Sequence, residues 1–216
     1  MLDRDRWEDL FERFLQDRVE TDPAHGMDHV RRVVANALQL AETEEARLEV
    51  VLPAAWLHDC VVVPKKSPDR STASTMAART AREWLQTEGY DPASLDEIEH
   101  AIVAHSFSAG IRPQTIEAKV VQDADRLDSL GAIGIARCLM LGGSLDRPLY
   151  DMGDPFCVGR DPEDSVFTID HFYTKLLLLG ERMQTDSGRK EAVRRTEFMI
   201  AYLQELALEV GADQMD

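Results

Sequence analysis

Cysteine is scarce in this 216-residue chain: Cys60, Cys138 and Cys157 are the three present, an odd count without metal-type spacing. They exclude a disulfide framework and a CxxC motif, and they suit a reducing cytosol. Long apolar runs are absent as well, none approaching the roughly 20 residues that a membrane span needs. The opening residues Met1-Leu2-Asp3-Arg4-Asp5-Arg6 are charged where a secretory signal would be apolar. The expectation is a cytoplasmic protein. Basic residues are outnumbered, 24 Lys and Arg against 40 Asp and Glu, for a net charge of −16. Such a chain gains little from counterion release on a nucleic-acid polymer and is repelled by an anionic membrane. β-Branched alternation is also rare, with Val61-Val62-Val63 the one candidate strand.

What the chain does have is helical periodicity, in a length that suits one domain. Trp7, Leu10, Phe11, Phe14 and Leu15 form a stripe ending near Thr21-Asp22-Pro23. The spacing predicts further helices over about 27–44, 47–59, 72–87, 95–106, 113–130 and 132–141. A connection rich in Gly, Pro and Asp follows over 142–162, then two more helices over about 165–185 and 189–210. The expected fold class is all-α, a single-domain helical bundle.

Six histidines are present, and His58-Asp59 stands out because it follows the apolar run Ala54-Ala55-Trp56-Leu57. An imidazole and a carboxylate at the end of a buried helix are costly unless something satisfies them, and a metal ion would. Chance alone supplies a His-Asp dipeptide about 0.6 times in such a composition, so the pair also fits a simple hydrogen bond or a cap. Two other segments add weight. His25-Gly26-Met27-Asp28-His29 opens an apolar helix, and Gln122-Asp123-Ala124-Asp125-Arg126-Leu127-Asp128 sets three carboxylates in a core-like one. Two imidazoles and two carboxylates form a mixed N/O set suited to a divalent transition metal. His100, flanked by Glu97 and Glu99, reads as surface, and His171-Phe172-Tyr173 as core packing.

The order His29, His58-Asp59, Asp125 resembles the HD superfamily of metal-dependent phosphohydrolases. The flanking His25-x-x-Asp28-His29-x-x-Arg32-Val33 and Ala124-Asp125-Arg126-Leu127-Asp128 carry the same likeness. More closely, the chain is similar to a small single-domain bacterial branch that includes nucleotide pyrophosphohydrolases. Further hallmarks are Val62-Val63-Pro64-Lys65, Arg70 and Ser74; His105-Ser106-Phe107-Ser108; Gly131 to Arg137; and His171-Phe172-Tyr173 with Lys175-Leu176. The resemblance runs from His25 to about Arg195.

This likeness implies an HD-type bundle over residues 1–216, with core motifs in about 25–130 and C-terminal helices over 165–210 packing on it. It implies the metal ligands His29, His58, Asp59 and Asp125, with Asp123 the alternative fourth ligand. The ion would be divalent: Mn, Mg, Fe, Co, Ni or Zn. Asp59 is the catalytic candidate, taking a proton from metal-activated water. Lys65, Arg70, His105 and Arg126 are candidate contacts to the substrate phosphate. His25, Asp28 and Asp128 are candidates for holding these groups in place. The expected partner is a small anionic phosphate, above all a nucleotide, with nucleoside triphosphate hydrolysis releasing phosphate or pyrophosphate. Two other classes compete: a non-catalytic metal- and nucleotide-binding sensor, and a dinuclear-iron oxygenase. The oxygenase would need His100 and His105 together, but five residues turn a helix through a net 140° or so.

Overall fold

A computed structural model of the chain describes residues 2–16, 18, 26–61, 63, 72–106 and 109–212. No strand occurs among them, and Val61 lies in a bend. The fold is all-α. The chain divides into two compact units, Met1–Asp125 and Arg126–Asp216.

The first unit is organised around α3 (Leu48–Leu57), which is apolar on every side, and Val50 to Leu57 are all buried. A helix apolar all round must be enclosed by others. Around it pack α1 (Arg4–Gln16), α2 (Met27–Thr43), α4 (Ala73–Thr87) and α5 (Leu95–His105). Rings fasten α1 to this core: Trp7 meets Tyr90 edge-on at 4.6 Å, and Phe14 stacks on Trp84 at 4.4 Å. Pro53 sits inside α3 and has no N–H to close the turn on the Glu49 carbonyl. The Tyr90 hydroxyl donates to that carbonyl at 2.7 Å instead. Tyr90→Phe should therefore lower stability by about 1 kcal/mol with little change in packing. Urea unfolding of the two proteins measures this, and equal midpoints would refute it.

The division between units falls within α6 (Ile116–Leu127). In the second unit, Gly131 turns the chain at φ +70° into α7 (Gly131–Ser144), which packs on α9 (Asp186–Glu209). Gly142 is needed for space, since a Cβ there would lie 2.2 Å from Thr168 Oγ1. The connection after α7 is held by carboxylates. Asp151 Oδ1 accepts from the Gly153 and Asp154 N–H groups, and Asp154 accepts from those of Val158 and Gly159. Asp170, fully buried, receives the Arg160 guanidinium on both oxygens.

One expected element is corrected here. The helix over 165–185 is replaced by the short α8 (Asp170–Thr174) and two 3-10 turns, Leu176–Leu178 and Gly180–Arg182. Asp164 Oδ2 draws in both His171 Nδ1 and Thr174 Oγ1, and Lys175 leaves helical geometry at φ −142°, ψ −58°. Leu176, Leu179 and Met183 are still buried at three- and four-residue spacing. That pattern is shared by α and 3-10 backbones, so the apolar spacing does not separate them.

Candidate metal centre

Four elements of the first unit bring chemistry to one place. His29 lies in the first turn of α2, His58 caps the C-terminus of α3, and Asp59 follows it. His105 is the last residue of α5, and Asp125 lies in the last turn of α6. His29 Nε2 is 3.3 Å from His58 Nε2 and 3.6 Å from Asp125 Oδ1. Asp59 Oδ2 lies 3.6 Å from His58 Nε2 and 4.0 Å from His29 Nε2. His58 Nε2 is 4.0 Å from Asp125 Oδ1. The other oxygen of Asp59, Oδ1, faces His105 Nε2 at 3.5 Å. The His29 and His58 side chains are 2% and 0% exposed, whereas Asp59 and Asp125 are 36% and 29% exposed. The cluster is thus floored by imidazoles and open on its carboxylate side.

Hydrogen bonding fixes which ring nitrogens face it. His58 Nδ1 donates to the Ala55 carbonyl at 2.8 Å, and His105 Nδ1 donates to that of Ile102 at 2.6 Å. A carbonyl only accepts, so both Nδ1 atoms carry hydrogen and Nε2 is the nitrogen turned to the carboxylates. Burial pushes the His58 pKa down, against the opposing pull of Asp59. Burial alone would raise the Asp59 carboxyl, but His58, His105 and His29 hold it well below the usual carboxylate range. Burial likewise depresses His105, and its contact with Asp59 outweighs this and raises it.

The Nε2 atoms of His29 and His58 each lie within 4.0 Å of an oxygen of Asp59 and an oxygen of Asp125. His29, His58 and Asp125 offer ligand atoms all within 4.8 Å of one another, a set that could hold a metal ion. This donor set fits a divalent cation of borderline hardness.

Asp123 is fully buried and lies about 200° around α6 from Asp125, so it is Asp125 that reaches the histidines. The Asp28 side chain is 89% exposed beside Arg31, in the first turn of α2. Asp128 is buried and receives the Arg137 guanidinium at 2.7 Å, while Arg126 donates to the Arg182 carbonyl. His100 Nε2 accepts from the Gln114 N–H. His25, Lys65 and Arg70 lie outside the described residues. Two amides went unread in the sequence. Asn36 Nδ2 donates to the Ala124 carbonyl at 3.2 Å, and Gln122 Nε2 donates to the Ala104 carbonyl at 2.6 Å. The available signal was an amide inside an otherwise apolar helical stripe, which has to find a partner.

Residues 26–130 match the model of the HD domain. Bacillus subtilis YpgQ is 36% identical over 196 residues, a match spanning 88% of this chain and 87% of YpgQ. The chain belongs to the HD-domain superfamily. A crystal structure of YpgQ in complex with ADP superposes on this HD-domain chain with a TM-score of 0.70 at 33% identity, covering 92% of this chain and 97% of YpgQ. An HD-superfamily hydrolase from Bacillus thuringiensis gives 0.73 at 30% identity, covering 97% and 99%. At the level of the family, this HD-domain chain is a hydrolase. No helix among the described residues is long and apolar enough to cross a membrane.

Proposed function

We propose that the chain is a metal-dependent phosphohydrolase acting on nucleotides or related small phosphate esters, foremost nucleoside triphosphates. The observation that carries this reading is that ligand atoms of His29, His58 and Asp125 lie within 4.8 Å of one another, with Asp59 Oδ2 3.6 Å from His58 Nε2 and His105 on the far oxygen of Asp59. His29, His58, Asp59 and Asp125 would hold the ion. A divalent ion bound there supplies Lewis acidity, neutralising phosphate charge and lowering the pKa of a water molecule. Asp59 would take a proton from that water, and His105, whose Nε2 lies 3.5 Å from Asp59 Oδ1, would pass the proton on or bond a phosphate oxygen. Lys65 and Arg70 would complete the phosphate contacts from the side chains of this chain. The ADP complex of YpgQ supports a nucleotide as the substrate class.

The test is a panel of ribo- and deoxyribonucleotides incubated with metal-reconstituted protein, with products separated by chromatography. Release of phosphate or pyrophosphate with at least one of Mn, Mg, Co, Ni, Fe or Zn is expected. Nucleotide binding without turnover under all of them would overturn the reading in favour of a sensor.

A further inference from the structure

We propose that Gln122 is a positioning residue for His105, holding the last turn of α5 so that the imidazole stays on Asp59. This rests on the reading of the cluster as a hydrolytic site. Gln122 lies on α6, one turn before Asp125, and is 3% exposed. Its Nε2 donates at 2.6 Å to the carbonyl of Ala104, the residue immediately before His105. The amide orientation follows from that contact, because the opposite flip would set two acceptors against each other. Oε1 is left buried without a hydrogen-bond partner among the described residues, so the side chain is held through its donor end.

The carbonyl it grips needs a donor. α5 ends at His105 and Ser106 turns extended, at φ −71°, ψ 127°, so the last-turn carbonyls have no helical N–H ahead of them. His105 Nδ1 takes the Ile102 carbonyl and Gln122 takes that of Ala104. These two contacts lock one turn. The first fixes the ring so that Nε2 faces Asp59 Oδ1, and the second fixes the backbone from which the ring hangs. Without the Gln122 donor, the Ala104 carbonyl, on a residue that is 0% exposed, must move to find another partner. The His105 ring then moves with it.

Gln122→Met keeps an unbranched side chain of similar length and removes the donor. Gln122→Glu keeps the length and polarity and presents only acceptors when ionised. In metal-free wild-type protein, the His105 ring should give a slowly exchanging Nδ1–H signal in nitrogen-15 histidine spectra. Both variants should lose that signal while retaining the overall fold and the metal content after reconstitution. Turnover should fall roughly ten-fold in kcat with KM little changed. On a His105→Ala background the same substitutions should cause no further fall. A His105 Nδ1–H signal that persists in both variants would overturn the proposal. So would loss of metal in the variants, or an undiminished effect on the His105→Ala background. The spectra need no turnover, so a wild-type protein without hydrolytic activity would remove the functional reading while this inference is still decided.

Discussion

His58→Ala should strip the bound metal and lower hydrolysis at least roughly 100-fold, since groups that merely support a ligand already cost 10- to 100-fold when lost. His58 is the most enclosed member of the cluster, at 0% exposure, and its Nε2 lies within 4.0 Å of His29, Asp59 and Asp125. No other described side chain is positioned to replace that nitrogen. His105, the nearest imidazole at 5.0 Å between ring centres, is turned to the other oxygen of Asp59. The variant also loses buried volume, so its melting temperature alone is a poor reporter. The difference made by a chelator is cleaner. Metal at 100 times its dissociation constant stabilises the folded state by about 2.7 kcal/mol, and chelation removes this. Wild-type protein should melt lower in chelator and His58→Ala should melt at the same temperature with and without it. Elemental analysis showing an undiminished metal content in the variant would refute the assignment.

The second large effect separates two aspartates that stand two residues apart. Asp125→Ala should lose the metal while the metal-free protein keeps its stability to within about 0.5 kcal/mol, because the Asp125 side chain is part-exposed. Asp123→Ala should behave in the opposite way. Its carboxylate is fully buried and engaged within the fold, so removal strands its partners and costs about 1–3 kcal/mol, with metal retained. Metal content and urea unfolding of both variants decide the matter. A metal-free Asp123→Ala beside a metal-loaded Asp125→Ala would reassign the fourth ligand.

Local chemistry made much of this structure legible from the chain. The helix expected over 27–44 runs over Met27–Thr43, and the one expected over 72–87 runs over Ala73–Thr87, with Gly89 beyond it at φ +76°. These boundaries are set by residues within a turn of them. The segment after residue 164 was misread because its conformation depends on distant partners. Asp170 is claimed by Arg160, and Asp164 reaches forward to His171 and Thr174. Nothing in the apolar spacing of Leu176, Leu179 and Met183 reports that. In the cluster, His58-Asp59 was legible because an imidazole and a carboxylate at the end of an apolar helix are costly without a reason, whereas the choice of Asp125 over Asp123 came from the family resemblance.

The placement of the cluster at helix ends has an electrostatic consequence. His58, His105 and Asp125 stand at the C-termini of α3, α5 and α6, whereas only His29 stands at an N-terminus. Each C-terminus presents the negative end of its aligned peptide dipoles, equivalent to about half an elementary charge. Three such ends against one opposing end leave roughly one unit of negative charge that belongs to the backbone and to no side chain. The site is therefore biased toward a cation before either carboxylate is considered, and substitution of any single ligand leaves that part of the field in place.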